Sequence, residues 1–354
     1  MPDTNNTNTD SEEYEEIYQC SECSFDTTDI DDLVHSSYWG ADVCQSCYDD
    51  GLEREAESED DGESDFIHYH SYKPRALFFN DDGCASYYVA REPESGFPQL
   101  YLGMELEVEF EGSRRWSRED GAQMLVRTYA DKNDPIYLKT DGSLNHGFEI
   151  VSHPGTLGYF TQRFDWEPIK KLAGMGFKAW NNSHCGLHIH MSRAAFQSDH
   201  HLFMFIKFIF DNRDALVQFA GRESSYAKFG IENLLNVYWD YDRNEQVRSN
   251  KLMDLVKGYV SNADRYTAVN LQNTHTIELR FFRPSLKPST VVAALEFCDA
   301  SFRYANTLTV QDATLRNGLA FNSFRSWLDT RQSPSYPTLR ERIVERLGAL
   351  NSDE

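Results

Sequence analysis

The 354-residue sequence predicts an α+β chain: an antiparallel sheet with an open functional face, backed by helices, behind a small N-terminal zinc-binding module. Three observations predict it. Past residue 66, strand-like segments follow one another directly in several places instead of alternating with helices, which favours antiparallel pairing over a parallel doubly wound sheet. Four of these segments put apolar residues on one side and carboxylates, imidazoles or a guanidinium on the other. The charge is divided: 22 of the 57 acidic residues but one of the 34 basic ones, Arg54, fall in Met1–Asp65, leaving 35 acids and 33 bases beyond.

The division suggests an acidic arm over residues 1–17, a module over 18–50, an acidic linker over 51–65 and a globular domain over 66–354. In the module, Cys20 and Cys23 form one Cys-x-x-Cys pair and Cys44 and Cys47 another, twenty residues apart. Each pair supplies two adjacent corners of a tetrahedron, so four thiolates would hold a zinc. A closed four-thiolate site has no position for water, and the ion is expected to be structural, replacing a core that so short a segment cannot build. The near-neutral body offers no broad basic field for nucleic acid, and the arm would repel phosphate. The first sixteen residues hold no apolar core of a signal peptide, and His201–Phe210, the most apolar stretch, is far shorter than the roughly 20 residues of a bilayer span. A cytoplasmic chain with no membrane partner is the expectation.

In the globular domain, apolar spacing with Gly or Pro at the ends predicts helices over Ser117–Asp131, Gly158–Ala173, Ser198–Gly221, Asn244–Lys257, Ser289–Leu308, Ser323–Asp329 and Thr338–Leu347. Strands are predicted over Leu77–Asn80, Tyr87–Arg91, Leu100–Phe110, Ile136–Leu138, Gly147–Ser152, Lys178–Trp180, Gly186–Ser192, Tyr266–Leu271 and Thr276–Arg283. Phe203, Phe205, Phe208 and Phe210 recur at helical spacing and are expected in the core.

The chemistry gathers on the strands. L-G-M-E-L-E-V-E-F (Leu102–Phe110) sets Glu105, Glu107 and Glu109 on one face. Three carboxylates about 6.5–7 Å apart repel one another unless cations lie over them, although a solvated outer face would also explain them taken alone. K-T-D-G-S-L-N-H-G-F-E-I (Lys139–Ile150) reads as a hairpin with Asp141 and Glu149 on opposite arms. C-G-L-H-I-H-M-S (Cys185–Ser192) puts His188, His190 and Ser192 on one face, and T-I-E-L-R-F-F (Thr276–Phe282) puts Glu278 and Arg280 on one face. Carboxylates with an imidazole favour hard divalent cations, and a neighbouring arginine favours a phosphoryl group. With no Walker or Rossmann glycine signature, metals and side chains would have to hold the phosphates.

Glu-x-Glu on a first strand, two acids eight positions apart ending in Glu-Ile, Gly-x-His-x-His-x-Ser and Ile-Glu-x-Arg resemble, in order, the active-site motifs of the glutamine synthetase-like carboxylate–amine ligases. More closely, H-S-Y-K-P, L-G-M-E-L-E-V-E, K-T-D-G-S-L, E-I-V-S-H-P, C-G-L-H-I-H and T-I-E-L-R-F-F are similar to the amidoligase family of bacterial and phage proteins, some of which carry a cysteine-rich zinc module. The resemblance covers Phe66 to Pro288. It implies that Glu105, Glu107, Asp141, Glu149, His188 and Glu278 surround two or three magnesium or manganese ions, and that His190 and Arg280 contact ATP phosphates. Asp141 stands where glutamine synthetase has a glutamate. Lys139, Ser192 and Arg265 are further cofactor-binding positions, with Ser152 and Asn270 behind them, and Glu107, Glu278 and Arg280 are the catalytic set. The implied activity is transfer of the ATP γ-phosphoryl group to a carboxylate, then attack by an amine to give an amide. Its substrates would be small-molecule or peptide carboxylates and amines, with a protein partner recruited through the zinc module.

Three other readings compete. A metal-dependent hydrolase would use His188 and His190 but needs further histidines in a suitable context, and only His200, His201 and His275 follow, with no His-Glu-x-x-His. A thiol enzyme would pair Cys185 with His184 or His188, but adjacent strand residues point apart; Cys84 and Cys298, like Cys185, read as small core residues, and His68 and His70 as incidental. An adaptor with a degenerate ligase domain would have lost its core acids, all of which are present.

Overall fold

The computed structural model describes residues 18–21, 26–27, 33–36, 41–45, 47–48, 66–87, 98–179, 185–225, 227–229 and 267–348. The expected helix Asn244–Lys257, Cys23, Arg265 and most of the expected strand Tyr87–Arg91 lie outside the described residues. The chain divides into two compact units, Met1–Glu63 with Ser71–Arg75, and Ser64–His70 with Ala76–Glu354.

In the first unit, β1 (Tyr18–Gln19) pairs antiparallel with β2 (Asp26–Thr27), and β3 (Leu33–Ser36) with β4 (Ala41–Cys44). Among the described residues of this unit, Cys20, Val43 and Cys44 are buried, with Leu33, Cys47 and Tyr48 packed against them.

The second unit begins with a short hairpin, β5 (Phe78–Phe79) and β6 (Ala85–Ser86). Its main sheet comprises β7 (Leu102–Phe110), β8 (Ile136–Lys139), β9 (Gly147–Ser152), β10 (Phe177–Lys178), β11 (Leu187–Ser192), β12 (Val269–Asn270) and β13 (Thr276–Phe282). The strand order is β12-β13-β11-β7-β9-β8, with β10 pairing beyond this path to the end of β7, and every one of these pairs is antiparallel. The expectation of an antiparallel sheet backed by helices is met, while Glu107, Glu149, His188, Asn270 and Glu278 on its polar face are buried.

Alternation assigns the faces. Leu106 stands opposite both Ile150 and Leu187, and Met104 opposite Ile189, so their side chains share one side of the sheet. That side is fully buried: Met104, Leu106, Val108, Leu138, Ile150, Leu187, Ile189, Ile277 and Leu279 have no exposed surface. Helices cover it. The α1 helix (Arg118–Ala130) packs on β8, α5 (Arg213–Ala220) on β13, and α6 (Pro288–Ala305) on β11 and on α4 (Asp199–Asp211). Phe203, Phe205 and Phe208 are buried in this layer as expected, and Phe210 is half-buried against it. The C-terminal helices α8 (Phe321–Asp329) and α9 (Pro337–Leu347) pack on α6 in turn.

Three helix boundaries differ from expectation. The segment 158–173 is not one helix. It forms α2 (Leu157–Gln162) and α3 (Glu167–Lys171) followed by a 3₁₀ turn, Leu172–Met175. Between them the Asp165 carboxylate accepts from Glu167 N and the Trp166 indole donates to Phe160 O, fixing the chain outside helical geometry just before Pro168. The segment 198–221 breaks at Asn212, whose amide donates to Phe208 O and, across the layer, to Leu319 O. A short helix not expected from spacing, α7 (Val310–Leu315), starts at Thr309 through a capping box with Asp312.

Candidate functional site

The polar face of the sheet is built by cross-strand register. On β7 and β9, Glu107 faces Glu149, which also faces Lys139 on β8. On the other side, Glu105 faces His188 on β11, His190 faces Glu278 on β13, and Glu278 faces Asn270 on β12. Directly opposed residues in antiparallel strands project to the same side, so six strands deliver one polar stripe.

Glu105 is its hub. Its carboxylate lies 3.7 Å from Lys139 Nζ, 3.5 Å from His188 Nδ1 and 3.4 Å from His190 Nε2. Lys139 Nζ also meets Glu149 at 3.1 Å, and His188 Nδ1 meets Glu278 at 3.5 Å. Glu278 is held in turn by Arg280, and by Asn270 at 2.8 Å. Two groups of potential ligand atoms result: Glu105, Glu149 and His188, and Glu105, His190 and Glu278, the atoms within each lying within 4.8 Å of one another.

Electrostatics follow from this crowding. Burial pushes the Glu149 carboxyl well above the ordinary range, and the neighbouring Glu105 and Glu107 charges add to it despite Lys139. Burial acts the same way on Glu105, but the His190 charge, hydrogen bonds from His188 and His190, and Lys139 outweigh it and hold this carboxyl well down. His190 is shifted down by burial and further up by Glu105, for a net rise. Glu107 is raised by burial, against the opposing charges of His188 and Arg222.

The residues fit hard divalent cations. The donors are mainly carboxylate oxygens with one imidazole per group, the set that magnesium and manganese prefer. Arg280 Nε is a buried atom with no hydrogen-bond partner among the described residues, whereas His190 Nε2 faces only the Glu105 carboxylate, at 3.4 Å.

The remaining expected residues take other places. Glu107 belongs to neither ligand group; its carboxylate accepts the Gly186 N–H. Asp141 sits in the turn between β8 and β9, where it accepts from Ser143 N at 2.7 Å and Ser143 Oγ at 2.5 Å and lies 3.7 Å from His70 Nδ1. Ser152 Oγ accepts Met104 N and Ser192 Oγ accepts Tyr101 N, so both hydroxyls anchor the start of β7. Glu109 accepts the Asn145 and His146 N–H groups at 2.7 and 2.9 Å and thereby clamps the turn that carries Asp141. In the first unit, potential ligand atoms of Cys20, Cys44 and Cys47 lie within 4.8 Å of one another, and Cys44 N donates to Cys20 Sγ.

Sequence reasoning missed two participants, and it included Gly186 in a motif without giving it a role. Arg222 belongs to no motif, yet its guanidinium donates to Arg280 O and Phe282 O beside Glu107. His70 reads as incidental in sequence. Its segment, however, extends the sheet, with His68 N donating to Leu138 O and Thr140 N to His68 O. Gly186 is required by close approach: a Cβ there would stand 2.7 Å from His188 Nε2, 3.0 Å from Arg222 Nη1 and 3.3 Å from Glu107 Oε2. The H-x-H and Glu-x-Glu repeats were the signals that could be found; a lone arginine after a helix stop gave none.

Comparison with known proteins adds a family. The profile of the family described as "Putative amidoligase enzyme" matches residues 122–302, just over half of the chain. No curated protein matches. Among solved structures, a "novel glutamine synthase homolog" is similar at 13% identity and TM-score 0.37, over 73% of this chain and 68% of that one. A bifunctional glutathione synthetase from Pasteurella multocida is similar at 12% identity and TM-score 0.38, over 70% of this chain and 48% of that one. The complex of the prokaryotic ubiquitin-like protein Pup with its ligase PafA is similar at 12% identity and TM-score 0.33, over 69% of this chain and 61% of that one. This chain therefore spans less than two thirds of the length of the latter two. Among the described residues, no helix is long and apolar enough to cross a membrane.

Proposed function

We propose that this chain, which belongs to the amidoligase family, is an ATP-dependent ligase that joins a carboxylate to an amine through an acyl phosphate. One observation carries the reading: two oxygen-rich ligand groups share Glu105, with Arg280 beside them, on the polar face of the sheet.

Glu105, Glu149, His188, His190 and Glu278 would hold magnesium or manganese, with Glu107 and Asp141 at the margin of the site. Bound divalent cations supply positive charge to phosphate oxygens and to the attacking carboxylate. The chain's own residues then orient the reactants. Arg280, fixed by Glu278, presents its guanidinium to the transferring phosphoryl group, and Lys139 between Glu105 and Glu149 keeps the hub carboxylate in place. The substrate carboxylate displaces ADP from the γ-phosphorus; a neutral amine then attacks the acyl carbon, phosphate leaves and a proton is released. Positioning and electrostatics provide the rate, with no protein nucleophile. The N-terminal unit would bind a structural zinc through Cys20, Cys23, Cys44 and Cys47, and recruits a protein partner in this reading.

The test is magnesium-dependent ADP release with pooled carboxylates and amines, run beside Glu107→Gln and Arg280→Ala. Release that requires both substrates and is lost in the variants is the expected result. Failure of the intact, metal-loaded protein to bind or consume ATP would overturn the reading.

A further inference from the structure

A second feature borders the site. A cavity of about 320 Å³ lies where α5 meets the segment after it, lined by Arg213, Arg222, Ser224 and Lys228 over an apolar floor that includes Phe229 and Phe281. Among the described residues its single lining carboxylate, Glu223, is taken up by Arg213, which also pairs with Asp214. Of the remaining lining cations, Lys228 meets no carboxylate among the described residues, while Arg222 faces Glu107 on its side away from the cavity.

Arg222 connects this cavity to the ligand face. The same guanidinium that lines the cavity has its Nη1 at the point where Glu107 Oε2 and His188 Nε2 converge over Gly186. Two hydrogen bonds to the backbone carbonyls of Arg280 and Phe282 hold it there. A molecule with one end on the ligand face therefore has a cationic recess next to it. A protonated amine is repelled from such a recess, whereas an anion gains charge-assisted hydrogen bonds.

We propose that the cavity receives a second anionic group, a carboxylate or a phosphate monoester, carried by the carboxylate substrate, with Arg222 and Lys228 as its cationic contacts. The substrate class is thus a dianionic acid with an apolar spacer that lies over Phe229 and Phe281. This rests on the ligase reading for the identity of the reacting carboxyl.

The experiment is calorimetric binding to the intact chain with magnesium present, using succinate, glutarate, adipate and 3-phosphopropionate as probes. Butyrate, pentanoate and hexanoate serve as length-matched monoanions of the dicarboxylates. At least one dianion is expected to bind about ten-fold more tightly than its monoanionic counterpart, the effect of one charge-assisted contact. Lys228→Gln, at an exposed position, should remove most of that preference and Lys228→Arg should restore it. Whether a dicarboxylate or 3-phosphopropionate binds better identifies the anionic group. Equal binding of mono- and dianions, or a preference unchanged in Lys228→Gln, would overturn the proposal. ATP turnover on the same probes separates the two readings. A Lys228-dependent preference with no ATP consumed by any carboxylate and amine mixture overturns the ligase but leaves the anion site standing. Turnover that is indifferent to the second charge overturns the anion site alone.

Discussion

Glu105→Gln tests the geometry of the candidate metal centre most directly, because it preserves side-chain volume and removes the one charge that both ligand groups share. A ligand that binds only the folded state stabilises it by about 2.7 kcal/mol at one hundred times its dissociation constant. In a domain of this size each kcal/mol raises the melting temperature by about 2–4 °C, so a filled site should add about 5–10 °C. The assay is thermal unfolding of the intact protein with and without manganese, each variant read against its own chelated baseline. Wild type should gain the contribution of two sites. Glu149→Gln and Glu278→Gln each remove a residue from one group and should keep roughly half of that gain, since the other group remains. Glu105→Gln should keep almost none of it, because Lys139, His188 and His190, at 3.4–3.7 Å, would then face an amide instead of an anion. A Glu105→Gln protein with the full wild-type gain would refute the shared-hub arrangement. So would a Glu149→Gln protein that loses everything, since that outcome makes the two groups a single site.

Gly186→Ala should impair metal binding and any ATP turnover at least ten-fold with little loss of stability, measured by manganese titration and unfolding in parallel; its Cβ would displace His188, Arg222 and Glu107 from their common point. His153 is buried, and its Nδ1 accepts the Leu77 N–H, so burial holds its pKa down to about 4. A histidine with a depressed folded pKa contributes stability that is full above pH 6.5 and is lost as pH falls toward 4. Wild type should therefore lose up to about 3 kcal/mol across that window relative to His153→Gln, and parallel pH curves for the two proteins would contradict this. Elemental analysis should find one zinc per intact chain, and none in Cys44→Ser, if Cys20, Cys44 and Cys47 act as ligands.

How much of this could be read from the sequence depends on which physical rule each part obeys. The two-residue period of a strand is local, so Glu105, Glu107, His188, His190, Glu278 and Arg280 could be assigned to polar faces without knowing the fold. The buried sides of the same strands were equally readable. Helix ends were less so: the break at Asn212 depends on a hydrogen bond to Leu319, more than a hundred residues away, which no local pattern contains. The turn at Lys139–Ile150 was legible as a hairpin, yet the hydrogen bonds that Ser143 gives Asp141 and the contact of Lys139 with Glu149 were not.

What the face of a strand cannot tell is which neighbour each side chain meets, and here that is the property that matters. Glu105 and Glu107 are equivalent in the sequence, two glutamates on one side of one strand. Register separates them. Glu105 falls opposite His188 and becomes the hub, whereas Glu107 falls opposite Glu149 and turns to the Gly186 N–H. Sliding β7 by two residues against β11 would keep every alternation intact yet put Glu107 opposite His188 and Glu105 opposite His190. The register is fixed on the other side of the sheet, where Met104, Leu106, Ile189 and Leu187 are packed without exposure. The arrangement of carboxylates on the polar face is therefore decided by the fit of apolar side chains on the opposite one. A volume change at Leu106 or Ile189 should accordingly disturb metal binding without touching a single ligand.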